Sequence, residues 1–215
     1  MNVTILLSDF GHPIFPHLRK WKEKYADVHS IELVDKVTKL TGGDVLFLVS
    51  CNEIVSNLER QKYTNALVLH ASDLPRGRGW SPHIWEILQG SSELVVSLIE
   101  AEDKVDTGRV WAKERRQLAD NALWDEINRI LFDMELSLMS AVVDNIDAFV
   151  PEIQSDEVST YYRKRTPKDS LIDVEKSIAS QFDLLRTCDA NRFPAYTYFR
   201  GRKFIIKLEA EDSHQ

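Results

Sequence analysis

Cysteine is scarce. The 215-residue chain holds two, Cys51 and Cys188. Two cysteines cannot build a disulfide framework, so a packed core must carry stability, and a reducing compartment is expected. Long apolar runs are missing as well. Val3 to Leu7 is too short for the hydrophobic part of a secretion signal and has no basic stretch before it. No segment approaches the roughly 20 apolar residues that cross a bilayer. The expectation is a soluble, cytoplasmic protein with no membrane partner. Positive charge is in the minority: 27 Lys and Arg face 34 Asp and Glu, a net charge of −7. That balance argues against a nucleic-acid partner bound by neutralising many phosphates. Local basic clusters can still hold a small phosphorylated ligand. Metal-ligand spacing is absent: histidines at 12, 17, 29, 70, 83 and 214 form no set with Cys or carboxylates, so no metal is expected.

What is present is ordinary for a globular chain, with 43% apolar and 28% charged residues. The length suits one full domain with a small appendage. Val3–Leu7, Ile31–Val34, Val45–Val49, Ala66–Leu69 and Leu94–Ala101 read as strands. Val45–Val49 is apolar throughout, as expected of a strand covered on both faces. Between the strands, Leu18, Trp21 and Tyr25 recur at helical spacing, and Glu53 to Lys62 reads as a short helix. Ser81-Pro82 reads as a helix start, with a stop at Gly90. A long amphipathic helix, capped by Asp120 or Asn121, carries Leu123, Ile127, Leu131, Met134, Leu138 and Val142. This alternation predicts an α/β fold with a mainly parallel, twisted sheet over residues 1–150. Residues 151–215 read as a C-terminal α+β extension: a linker, a helix from Asp173 to Cys188, and a hairpin turning at Arg200-Gly201.

In such sheets, ligands sit beyond the carboxyl ends of the strands. His70 closes the Ala66–Leu69 strand. The loop after it, Ala71 to Ser81, holds Arg76, Gly77, Arg78 and Gly79 before a helix start. Two glycines let backbone approach a ligand closely, and two arginines can bind phosphate or carboxylate. The bland reading, a turn with solvated arginines, weighs about equally for this loop alone. Asp103 to Gly108 follows the Leu94–Ala101 strand, at what should be the same end of the sheet. Asp106 there could orient the His70 imidazole.

Taken together, His70-x-Ser72-x-Leu74-Pro75-x-x-x-Gly79 and, 36 residues after the histidine, Asp106-Thr107-Gly108 resemble the formyltransferases that use 10-formyltetrahydrofolate. Tyr162 to Asp173 is similar to the linker motif of the sugar and methionyl-tRNA enzymes. Phe182 to Arg186 and Phe193 to Tyr196 are similar to the segments that follow it in the sugar enzymes. The resemblance implies a Rossmann-like formyltransferase domain, with His70 as general acid/base and Asp106 as its electrostatic support. It implies 10-formyltetrahydrofolate as donor, lying near Asn52 and Val105. It implies a small nucleotide-linked amino sugar as acceptor, towards Arg76, Arg78, Tyr162, Arg163 and Arg186. Methionyl-tRNA is less expected, because only about 65 residues follow the catalytic part and the chain is acidic. The C-terminal hairpin offers an edge through which two copies could pair as a homodimer. One position departs from the family. Its asparagine, two residues before the histidine, is Val68 here. A protonated His70, a loop N–H near Ser72, or Asn52 could replace the missing oxyanion donor; otherwise activity is weak or absent.

Overall fold

The computed structural model describes residues 1–155 and 158–211. Its first part runs β1 (Asn2–Leu6), α1 (Phe15–Tyr25), β2 (Ser30–Val34), β3 (Gly43–Leu48), α2 (Asn57–Arg60), β4 (Tyr63–His70), β5 (Arg78–Gly79), α3 (Pro82–Leu88), β6 (Glu93–Glu100), β7 (Val110–Gln117) and α4 (Trp124–Asp144). The remainder holds β8 (Tyr161–Tyr162), α5 (Phe182–Arg186), β9 (Ala195–Phe199) and β10 (Arg202–Ile206).

The main sheet has the order β2-β1-β3-β4-β6-β7. Its first four strands are parallel, β6 runs antiparallel to β4, and β7 runs antiparallel to β6. Strand period two explains the apolar runs. Ile5, Val45, Phe47, Leu67 and Leu69 face one core with α1 and α4; Leu6, Leu46 and Leu48 face a second with Val34, Val55 and Tyr63. The mixed sheet is the mainly parallel, Rossmann-like α/β architecture that the sequence predicts. Among the described residues, no helix is long and apolar enough to cross a membrane.

Several local expectations are corrected. The helix expected over 53–62 is one turn, Asn57–Arg60, started by Ser56 Oγ accepting the Glu59 N–H. α3 starts at Ser81-Pro82 as expected, with Ser81 at the N-cap position, but Ser81 takes a left-handed φ of 46° and makes no side-chain cap bond. The long helix starts at Trp124 rather than after Asp120, where the Glu126 carboxylate accepts the Leu123 N–H. No continuous helix fills 173–188. Asp173 accepts from Glu175 N–H, and the Gln181 amide donates to the carbonyls of Asp173, Lys176 and Ser177. Side chains that satisfy the backbone in this way compete with helix formation, and only Phe182–Arg186 is α-helical. The hairpin forms as expected, because Arg200 and Gly201 both adopt positive φ, as a two-residue I′ turn requires.

Candidate active site

His70 ends β4, and its side chain is 8% exposed. Nδ1 lies 3.4 Å from Asp106 Oδ1, and Nε2 lies 2.8 Å from the Gly77 carbonyl oxygen. Both ring nitrogens therefore face acceptors. A neutral imidazole has one N–H, so only the imidazolium donates to both. The second carboxylate oxygen, Asp106 Oδ2, accepts the Gly79 N–H at 2.8 Å. The 77–79 loop thus grips both members of the pair, one through a carbonyl and one through an amide.

Asp106 reaches His70 by a route that the sequence did not suggest. Because β6 is antiparallel to β4, Ser97 pairs with His70 and Glu100 pairs with Leu67. The chain leaves β6 below the level of His70 and must fold back. Gly108 permits the turn: a Cβ there would lie 1.9 Å from the Glu100 carbonyl oxygen. Asp106 itself takes a left-handed φ of 60°, a conformation that aspartate tolerates better than most residues.

A strap from the later chain completes the frame. β8 pairs with β5, so Arg78 N–H donates to the Thr160 carbonyl and Trp80 N–H to the Tyr162 carbonyl. Thr160 Oγ1 accepts the Gly77 N–H at 2.8 Å. Gly79 has φ of 99°, and a Cβ there would stand 2.2 Å from the Tyr162 carbonyl oxygen. The sequence reading assigned the loop glycines to close approach of a ligand; Gly79 admits the strap instead.

Val68 shares its strand face with His70, two residues away, and packs against the second core. An apolar side chain therefore stands where the resemblance expected an amide. Of the expected replacements, the Ser72 N–H is already engaged by the His70 carbonyl at 2.9 Å.

Residues 11–143 match the family model described as formyl transferase. The chain is 30% identical over 183 residues to a methionyl-tRNA formyltransferase of Rickettsia massiliae, covering 84% of this chain and 58% of that protein. The chain belongs to the formyl transferase family. It spans little more than half the length of that curated relative. Among solved structures, a methionyl-tRNA formyltransferase from Clostridium thermocellum superposes with a TM-score of 0.83 at 19% identity, covering 100% of this chain and 95% of that one. A sugar N-formyltransferase from a Shewanella species superposes with a TM-score of 0.73 at 15% identity, covering 98% of each chain. At these identities the two structures carry the fold alone.

Around the His70–Asp106 pair the other expected residues divide. Asn52 is exposed after β3, its N–H bonded to Ser8 Oγ, and Val105 is exposed in the returning loop. Arg60 joins the two regions, donating to the Val55 carbonyl and to Asp103, each at 2.6 Å. Arg76 is exposed, and its guanidinium makes no bond among the described residues. Arg78 is a correction: it is 7% exposed and donates to Gln154 Oε1 at 3.0 Å, so it is built into the strap. Arg186 is a second correction. It is 3% exposed, paired with Asp183, and bonded to the carbonyls of Ala119 and Ala122, which ties α5 to the segment before α4. The Tyr162 hydroxyl donates to Gln89 and its ring stacks on Trp85; the Arg163 guanidinium lies over the same indole and pairs with Asp169.

Sequence reasoning missed the Gly77 carbonyl, Thr160 and Gln154. A backbone acceptor leaves no mark in residue identity. It also missed Glu86 on α3, whose carboxyl lies beside Gly77 and Ser72. Burial and the charge of Asp73 push Glu86 up to about 7. Among the described residues, no three His, Cys, Asp or Glu side chains gather as metal ligands.

Proposed function

We propose that this protein moves a formyl group from 10-formyltetrahydrofolate to the amine of a nucleotide-linked amino sugar. The observation that carries the reading is the buried His70–Asp106 pair beyond β4, with Nδ1 on the carboxylate. With Nδ1 held by the carboxylate, Nε2 is the atom that moves protons, and it must leave the Gly77 carbonyl oxygen, 2.8 Å away, to meet the amine. The amine nitrogen attacks the formyl carbon and gives a tetrahedral intermediate with an oxyanion and a cationic nitrogen. The neutral imidazole takes a proton from that nitrogen. The carbon–nitrogen bond to folate then breaks, and the imidazolium returns a proton to the departing nitrogen, so the ring ends as it began. Asp106 stabilises the charged ring and fixes its orientation. Such an acid–base group contributes about 10²- to 10⁴-fold.

The donor is read at the two loops that Arg60 joins, with Asn52 and Val105 at their exposed surfaces. Arg76 remains open to the acceptor's phosphate. The acidic composition of the chain favours the sugar, and a sugar N-formyltransferase shares its fold over 98% of each chain. The match to methionyl-tRNA formyltransferases supports methionyl-tRNA as a second acceptor to test. Val68 beside His70 supports a third reading, a weak or silent homologue that binds without turnover. Incubation with 10-formyltetrahydrofolate and, separately, nucleotide amino sugars and methionyl-tRNA distinguishes the three. The favoured reading expects one sugar to gain the mass of one CO. Formylated methionyl-tRNA alone, or no product at all, contradicts it.

A further inference from the structure

The strap reaches one more part of the pair. Gln154 projects its side-chain amide at the turn that carries Asp106. Its Nε2 lies 3.1 Å from the Asp106 carbonyl oxygen and 2.7 Å from the Gly108 carbonyl oxygen, so both amide hydrogens are donated to the same turn. Its Oε1 accepts from buried Arg78 at 3.0 Å. Just before it, Glu152 bridges to Val110 through paired backbone bonds of 2.8 Å each, which anchors the strap at the far side of the turn. Gln154 therefore links the loop of Asp106 to the loop of Gly77 and Gly79 without touching the imidazole.

We infer that Gln154 is a positioning residue: it holds the Asp106 turn so that the carboxylate meets both His70 Nδ1 and the Gly79 N–H. The physical need is plain. Asp106 sits in a left-handed conformation in a loop that folds back from an antiparallel strand. Among the described residues, its carbonyl and that of Gly108 receive side-chain donors from Gln154 alone. Without Gln154 two carbonyls lose their donors and the turn is free to relax. A shift of about 1 Å at a catalytic group can cost about 10²-fold.

The catalytic half of this inference rests on the reading of His70 and Asp106 given above; the structural half does not. The test therefore has two readouts on the full-length protein. The first is amide hydrogen exchange at Gly79, whose N–H is bonded to Asp106 Oδ2. In Gln154→Ala that amide should exchange at least about tenfold faster, while amides in the central pairing of β3 with β4 stay within about twofold of wild type. Gln154→Glu is isosteric but sets an acceptor against two carbonyls, and it should loosen Gly79 as much. The second readout is kinetic. If the wild type transfers formyl groups, kcat in both variants should fall at least about tenfold with KM for donor and acceptor nearly unchanged. Unchanged Gly79 exchange in the folded Ala variant overturns the inference even in an inactive protein. Faster Gly79 exchange with wild-type kcat, or a Glu variant that behaves as wild type, also overturns it. An inactive wild type with fast Gly79 exchange in both variants leaves Gln154 as holder of Asp106 and strikes down the enzymatic reading alone.

Discussion

At the scale of single residues, the pair depends on charge as well as shape. Asp106→Asn keeps the outline of the side chain and can still accept the Gly79 N–H. It removes the counter-charge beside the His70 ring, so the imidazolium formed during transfer loses its support. A fall in kcat of about 10²-fold or more is expected, with thermal unfolding little changed; calorimetry beside a steady-state assay checks both. Glu135 is a different case. It lies on the buried stripe of α4, its Oε2 has no hydrogen-bond partner among the described residues, and burial pushes the carboxyl up to about 8. The folded chain then holds a proton that the unfolded chain has released. The stability this supplies is complete below about pH 4.5 and is lost as pH rises towards 8, at up to about 1.4 kcal/mol per pH unit. His12 and His83 act in the opposite sense. Burial first, then charge from Arg192 for His12 and from His70 for His83, pushes each down to about 4. Their contribution is lost as pH falls below about 6.5. Above about pH 7, past the histidines and past Glu86, which is also pushed up to about 7, Glu135 is left to act, so the urea midpoint should fall as pH rises towards 8 in wild type. In Glu135→Gln that fall should be much reduced. An identical slope in the variant would show that Glu135 is ionised in the fold. His70 and Asp106 were legible because histidine at a strand end and Asp-Thr-Gly at a set distance are marks in residue type. Glu135 was not, since a helical stripe is read from its apolar members.

At the scale of elements, the parts that were read well are those whose signal is local. Phe15–Tyr25, the apolar strands and the Arg200-Gly201 turn follow from periodicity or from two residues that tolerate positive φ. What failed needed a distant partner. The direction of β6 is set by its pairing with β4, and nothing within Glu93–Glu100 marks it. The strap reads as a polar linker, because its ladder with the 77–80 loop is made by backbone, and the Thr160 hydroxyl and Gln154 amide that join it are ordinary polar side chains in sequence. Asp173 to Gln181 has helical composition, yet its own side chains take the backbone donors and acceptors. The close approach of β8 to β5 gives the sharpest element-level prediction. Gly79→Ala places a methyl 2.2 Å from the Tyr162 carbonyl oxygen at a φ of 99°. The strap must then leave, and Gly79 must change conformation. Unfolding should become easier by at least about 2 kcal/mol, measured by urea denaturation, and proteolysis should cut within residues 154–163. A variant of wild-type stability with an uncut strap would contradict the packing described.

At the scale of the whole molecule, the sheet, the returning loop and the strap converge on one imidazole. Arg78 and Arg186, both expected at a ligand, instead hold pieces of the fold together. Such buried arginines look like anion sites in sequence, since burial and partner choice are decided by tertiary contacts. The fold class and the paired residues were legible; the frame that orients them was not. Whether His70 moves the proton is decided by the single-turnover rate of formyl transfer in His70→Ala against wild type, with folding verified by circular dichroism. His70→Ala should lose about 10²- to 10⁴-fold in rate with donor binding retained. A His70→Ala protein that transfers the formyl group at the wild-type rate would contradict that role.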